Sequence, residues 1–100
     1  MDQEFCLLGP EAWQNFYYCK YGTFPTIVHR PSGYINVTSL CSSNAKQFKH
    51  WHSLKNSKQT VADLVEAINM GGEHDILINV TGAVVCGTYA HPMLAPLILA

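Results

Sequence analysis

The stretch GYINVTSLCSSNAKQFKHWHSLKNSK, residues 33–58, decides how this chain reads. It opens on period-two alternation, as a strand does, and from Ser39 the apolar spacing lengthens to three or four, as a helix does. LCSSNAKQF predicts a short helical turn, and AKQFKHWHSLKN predicts a helix of about three turns. In that helix Phe48, Trp51 and Leu54 recur at every third position and form the expected core stripe. Lys46, Lys49, Ser53 and Asn56 fall on the opposite side with His50 at its edge, so they share one exposed face. Lys55 lies nearer the apolar stripe, where its stem can run along it. The stretch holds the lysines at 46, 49, 55 and 58 and no acidic residue, which calls for an anionic partner.

Working outward, Ser57 offers an N-cap for a second helix, in which Val61, Leu64, Val65 and Ile68 have the spacing of a buried stripe. Gly71 and Gly72 are expected to stop it. Two helices joined by LKNSK have the organisation of a helix-turn-helix unit. Upstream, FPTIVHRPSGYINVT reads as a hairpin turning at RPSG, with Pro31 at the first central position, Gly33 closing it and Arg30 near the tip as a wing. Further upstream, GPEAWQNFYYCKYG has Pro10 at a first-turn position, apolar Trp13, Phe16 and Tyr17, and Gly22 as a stop. It predicts a short amphipathic helix, so residues 1–22 are expected to be an N-terminal helical extension. Downstream, DILINVTGAVVCGTYAH predicts a second strand pair broken at Thr81 and Gly82, and HPMLAPLILA a helix with Pro92 near its first turn. The apolar run of that last segment needs cover, from the core or from a second copy of the chain, and a homodimer through it is slightly favoured.

With 100 residues, 48% apolar and 13% charged, the chain has the size and composition of one folded domain. Its net charge of -1 conceals a segregation. All basic residues lie between Glu11 and Asp63, an interval without acids, whereas Asp2, Glu4 and Glu11 precede it and Asp63, Glu66, Glu73 and Asp75 follow. Such asymmetry is a physical argument for binding an anionic polymer, and its bland alternative is a solvated helix face. Cys6, Cys19, Cys41 and Cys86 form no CxxC pair, and MDQEFCLLG lacks the pattern of a signal peptide, so free thiols in a reducing compartment are expected. The N-x-T sequons at Asn36 and Asn79 then read as strand and turn residues. No apolar run is long enough for a membrane helix.

Three blocks, GYINVTSLC, KQFKHWHSLKNSKQTVADL and GTYAHPMLAPLILA, resemble the KilA-N domain of large DNA viruses and phages, a relative of the fungal APSES DNA-binding domain. The family pattern G-Y-[IV]-N-[AV]-T at a strand-to-helix junction falls on Gly33 through Thr38. Its K/R-x-F-x-x-W helix falls on Lys46 through Trp51, and its G-T-[YW]-x-H-P-x-[LI]-A segment on Gly87 through Ala95. The resemblance implies an α+β fold, one domain over 1–100 with the family core at 23–95, and DNA binding, within viral proteins that often carry a second domain such as a RING finger. The chain departs from the pattern in its helix-like N-terminal stretch and in stopping where the last helix commonly continues. No RING-type array of cysteine and histidine follows, so a ubiquitin-ligase role is not expected.

Other chemistry is poorly supported by the residues. His50 and His52 are two apart and do not share a helix face, and there are no paired cysteines, so no metal is expected. Cys86 and His91 lack any readable orienting group or oxyanion element, and there is no G-x-x-x-x-G-K loop. Trp51 could stack on a base but reads more readily as core. The sequence therefore predicts a small α+β domain with two β-hairpins and a helix-turn-helix-like pair, without enzyme chemistry, cofactor or metal. Arg30, Lys46, Lys49, His50, Ser53, Lys55, Asn56 and Lys58 are expected to contact duplex DNA. The rival expectation is a viral interaction protein that keeps the fold and binds a host or viral protein through its aromatic N-terminal segment and apolar C-terminus. The expected location is intracellular, at viral replication sites in the host cytoplasm or in the nucleus.

Overall fold

The computed structural model describes residues 6–82 and 84–99. Its chain order is β1 (Cys6–Trp13), β2 (Phe16–Tyr21), β3 (Phe24–His29), β4 (Tyr34–Asn36), α1 (Val37–Ser43), α2 (Phe48–Ser53), α3 (Lys55–Ala67), α4 (Glu73–Ile76), β5 (Leu77–Val80), β6 (Gly87–Ala90) and α5 (Ala95–Leu99). The strands form one antiparallel sheet in the order β1-β2-β3-β4-β6-β5. This is the α+β architecture the sequence predicts, with both expected hairpins, β3–β4 and β5–β6, in place.

The N-terminal stretch corrects an expectation. Residues 9–22 are not a helix; β1 and β2 form a third hairpin, and this revises the helical extension at 1–22 as far as the described residues reach. Aromatic residues at 16–18 favour a strand, and β2 buries residues on both faces, Cys19 and Tyr21 on one and Phe16 on the other. Asn15 makes the turn at φ 67°, a conformation asparagine tolerates, and its amide donates to the Glu11 carboxylate at 2.9 Å. The glycine and proline that read as helix punctuation fall instead in a register shift between Leu8 and Glu11 on an edge strand, where a missing N–H costs little. Gly22, the expected helix stop, turns β2 into β3 at φ +65°.

The sheet buries both faces. Cys19, Val28, Ile35 and Ala90 face α1, α3 and α5, which contribute Leu40, Cys41, Val61, Leu64, Ala95 and Ile98. Phe16, Ile27 and Tyr89 point to the other face and pack with Val85. The apolar C-terminal segment joins the first of these cores through Leu94, Ala95 and Ile98, leaving Met93 and Leu97 exposed.

The first and third sequence blocks turn out to hold each other. Asn36, 1% exposed, accepts from the Ser39 amide to cap α1 and donates to the Cys86 carbonyl at 3.1 Å. Gly87 passes so close to this side chain that a β-carbon there would stand 2.7 Å from Asn36 Oδ1. The Thr88 amide donates to Thr38 Oγ1 at 3.0 Å. Residues 33–38 and 87–91 are thus a strand-to-helix junction and the strand that locks it, which explains their chemistry without invoking a ligand.

Candidate nucleic-acid interface

α1 ends in a tight turn that aims the next segment. The Ala45 amide donates to the Ser42 carbonyl and the Lys46 amide to the Cys41 carbonyl, the paired bonds of a Schellman motif, with Ala45 left-handed at φ 56°. Lys46 leaves this turn exposed. α3 ends the same way on Asn69, at φ 58°, with the Met70 amide on the Val65 carbonyl. Asn69 therefore stops α3, not Gly71 and Gly72; the Gly71 amide instead donates to Asp75 at 2.8 Å, ahead of a one-turn helix α4 that periodicity did not reveal.

The helical pair is more compact than expected. α2 ends at Ser53, a single residue in extended conformation, Leu54, intervenes, and α3 begins at Lys55. Two readings change as a result. Ser57 is not an N-cap: it lies buried in the first turn of α3. Leu54 is 43% exposed and not core, and α2 has no fully buried residue, with Phe48 and Trp51 half-buried. The physical reason is the connection itself, since a one-residue break turns the chain before Leu54 can follow Trp51 into the core.

Lys46, Lys49, His50 and Ser53 on α2 and its approach, and Lys55, Asn56 and Lys58 in the first turn of α3, are all exposed. No lysine or arginine forms an ion pair among the described residues. α3 starts without a side-chain cap and without an acid in its first turn. Cations at a helix N-terminus oppose the macrodipole, an arrangement that an anion bound there would relieve. The Ser53 hydroxyl donates to the His50 carbonyl at 2.6 Å, which fixes its direction at the end of α2.

Arg30 stands apart. It lies in the β3–β4 turn, its amide on the Asn15 carbonyl at 2.9 Å and its guanidinium 5.6 Å from the Tyr17 ring. Ser43, at the end of α1, reaches the Pro25 carbonyl at the start of β3, whereas Arg30 follows that strand's end. Among the described residues no hydrogen bond or ring contact joins the Arg30 turn to α2.

The two histidines of α2 diverge. His52 contacts Glu73 at 2.8 Å and stacks on Phe48, tying α2 to α4. His50 instead lines an open groove of about 430 Å³ with Ala45, Lys46, Gln47, Trp51 and Leu54. Of this lining, Gln47 and Leu54 were not among the expected contacts, and Trp51 was weighed for stacking but read as core. The usable signal for Gln47 was its place, a polar residue directly between Lys46 and Phe48 in the acid-free stretch.

Titratable groups elsewhere have structural explanations. Burial pushes the Cys41 thiol up, with the nearby Lys46 charge pulling the other way, which is an inert thiol's environment. Burial pushes Tyr89 up to about 12, and its hydroxyl donates to the Val85 carbonyl. His91 Nδ1 accepts from the Met93 amide at 3.0 Å, and no hydrogen bond joins His91 to Cys86 among the described residues. No cluster of three or more metal-ligating side chains occurs among the described residues, and no helix among them is long and apolar enough to cross a membrane.

A single antiparallel sheet whose central strand leads into α1 to α4, with α2 launched from a cationic turn, defines a small α+β domain with a basic helical face. Comparison with known sequences gives it a family: the KilA-N domain model matches residues 19–100, and the chain belongs to that family. KilA-N domain-containing protein L4 of Acanthamoeba polyphaga mimivirus is 33% identical over 78 residues, covering 75% of this chain and 17% of the relative. The mimivirus protein R878, described in the same words, is 32% identical over 87 residues, covering 80% of this chain and 24% of its own. Protein 313L of Invertebrate iridescent virus 6 is 40% identical over 45 residues, covering 45% and 13%. The chain thus spans a quarter or less of the length of these viral relatives. No solved structure matches it significantly.

Proposed function

We propose that this domain binds duplex DNA without catalysing a reaction, through α2 and the first turn of α3. The observation that carries the reading is the set of exposed cations, Lys46, Lys49, Lys55 and Lys58, clustered around a one-residue helix junction and without acidic partners among the described residues. Lysines there offset phosphate charge and release counterions, the uncapped amides of α3 offer hydrogen bonds to phosphate, and His50, Ser53 and Asn56 supply polar contacts beside them. Arg30 serves as a separate contact at the β3–β4 turn, reaching the duplex away from the helical pair. Membership of the KilA-N family supports this reading. The site of action is intracellular, at viral replication sites in the host cytoplasm or in the nucleus.

A fluorescence anisotropy titration against duplex DNA at two salt concentrations tests it. With about 4 phosphates contacted, log K falls against log salt with a slope of about -3 to -4. Undetectable binding at about 50 mM salt and tens of micromolar protein overturns the assignment.

A second reading has its own observation. Leu8, Trp13 and Tyr18 leave the β1–β2 hairpin exposed, as a protein partner's docking surface would require. In that reading the domain keeps the fold and binds a host or viral protein, and its affinity for DNA is absent at every salt concentration. The homodimer reading is narrowed to Met93 and Leu97, the outward residues of the C-terminal segment. Sedimentation at high micromolar concentration decides it.

A further inference from the structure

We infer that the groove beside α2 is a stacking site for one unpaired nucleotide of a DNA strand, distinct from the phosphate contacts of the basic face. The inference rests on the DNA reading for its class of ligand. The groove, at about 430 Å³, falls in the range of about 300–1,000 Å³ typical of small-ligand sites. Its lining joins the two features that single-strand recognition requires, an aromatic surface and a cation beside it, Lys46, at the edge of the basic face.

The aromatic surface is the indole of Trp51, only half-buried, although the sequence pattern places it in the core. The ring is held rather than loose. It stacks on Phe48 with centroids 5.9 Å apart at 26°, and Phe48 stacks in turn on His52, which Glu73 holds. Lys46 supplies the cationic edge with the polar ring of His50 beside it, and Leu54 lays exposed apolar surface against the groove where a sugar or base would pack. Gln47 supplies hydrogen bonding. It is exposed, extended, and makes no capping bond to α2, so its amide can donate to and accept from a base edge. Ala45 keeps the rim small.

Inside a duplex every base face is covered by its neighbours, so an indole lining a groove cannot stack on it. An unpaired or everted nucleotide presents that face, and lysine and histidine beside it complement the attached phosphates. The hollow on the sheet's other face, lined by Phe16, His29, Tyr34 and Ile78 among others, has aromatic rings but no lysine or arginine, and so lacks the second feature.

Fluorescence reads the contact directly. The chain has two tryptophans, and Trp13 is 51% exposed on β1, so Trp13→Phe leaves Trp51 as the reporter with little disturbance. Titration of that protein with oligothymidylate gives saturable quenching of Trp51 emission. Gln47→Ala and Leu54→Ala, both at exposed positions, each weaken the quenching titration about 5-fold or more, with the emission of the free protein unchanged. Oligothymidylate that binds by anisotropy without quenching Trp51 overturns the inference. Equal quenching by blunt duplex overturns the preference for an unpaired nucleotide, and quenching by oligouridylate alone overturns the assignment to DNA. Salt-sensitive duplex binding with a silent Trp51 leaves the duplex reading standing without this site, whereas quenching by the oligomer without any duplex binding does the reverse.

Discussion

At the scale of single residues, the basic face and the core separate cleanly. Lys46 and Lys49 are exposed and unpaired among the described residues, so replacing both with Glu should shift stability by only about 0.5 kcal/mol per site while reversing charge beside phosphate. Circular dichroism melts alongside DNA titrations check this. A double variant that melts like the parent and binds DNA equally well reduces the face to solvated surface. His91 carries the pH response. Its folded pKa is lowered by burial, and its Nδ1 must stay unprotonated to accept from the Met93 amide. The unfolded chain therefore binds this proton more readily than the folded chain. The stability is fully present above the unfolded value of about 6.5 and is lost as pH falls through the lower folded value. His91→Asn keeps an acceptor for the Met93 amide without the titration. Its melting temperature should fall less than the parent's between pH 7.5 and 5.5, and an identical fall in both proteins would remove His91 from the acid response.

Among the elements, what was legible depended on how local the determinant is. The β3–β4 hairpin and the buried stripe of α3 are written in adjacent residues, and RPSG and the Val61, Leu64, Val65, Ile68 spacing predicted both. The β1–β2 hairpin was misread because Trp13, Phe16 and Tyr17 fit a helix stripe as well as a strand. Its decision comes from pairing with β3, which no local pattern contains. The exposed residues of α2 were readable one by one. The break at Leu54, which moves Lys55 and Asn56 onto α3, was not, because it depends on how α3 docks on the sheet. The turn between α1 and α2 offers a test at this scale. Ala45 holds a left-handed conformation that costs an L-residue about 1–2 kcal/mol, part of which glycine would recover. Ala45→Gly should stabilise the domain by about 1 kcal/mol, raising the melting temperature by about 4–8 °C. No gain would mean that the turn's strain is relieved elsewhere.

For the whole molecule, the sheet has two unequal halves. Strands β1 to β4 form a meander of neighbours in sequence, whereas β4 meets β6 only at Ile35 with Ala90 and Asn36 with Tyr89. All helices but α5 lie within the intervening chain, so the basic face is mounted on a long excursion that begins and ends at one short seam. The excursion's position depends on that seam and on the packing of α1 and α3 against the sheet, while His52 with Glu73 ties α2 to α4 within it.

That seam also sets an order of events in time. Closing the chain between Asn36 and Tyr89 costs more entropy than closing any of the three hairpins, and the cost falls due before the distant strands reward it. The meander should therefore organise in the folding transition state and the seam afterwards. In stopped-flow chevrons, Ile27→Val within the meander should slow folding, while Ala90→Gly at the seam should chiefly speed unfolding. A seam variant that slows folding as much as it destabilises would place the junction in the nucleus instead. If the seam does close last, it opens first, and the helices that carry the lysines are then released together from a sheet that is still half standing.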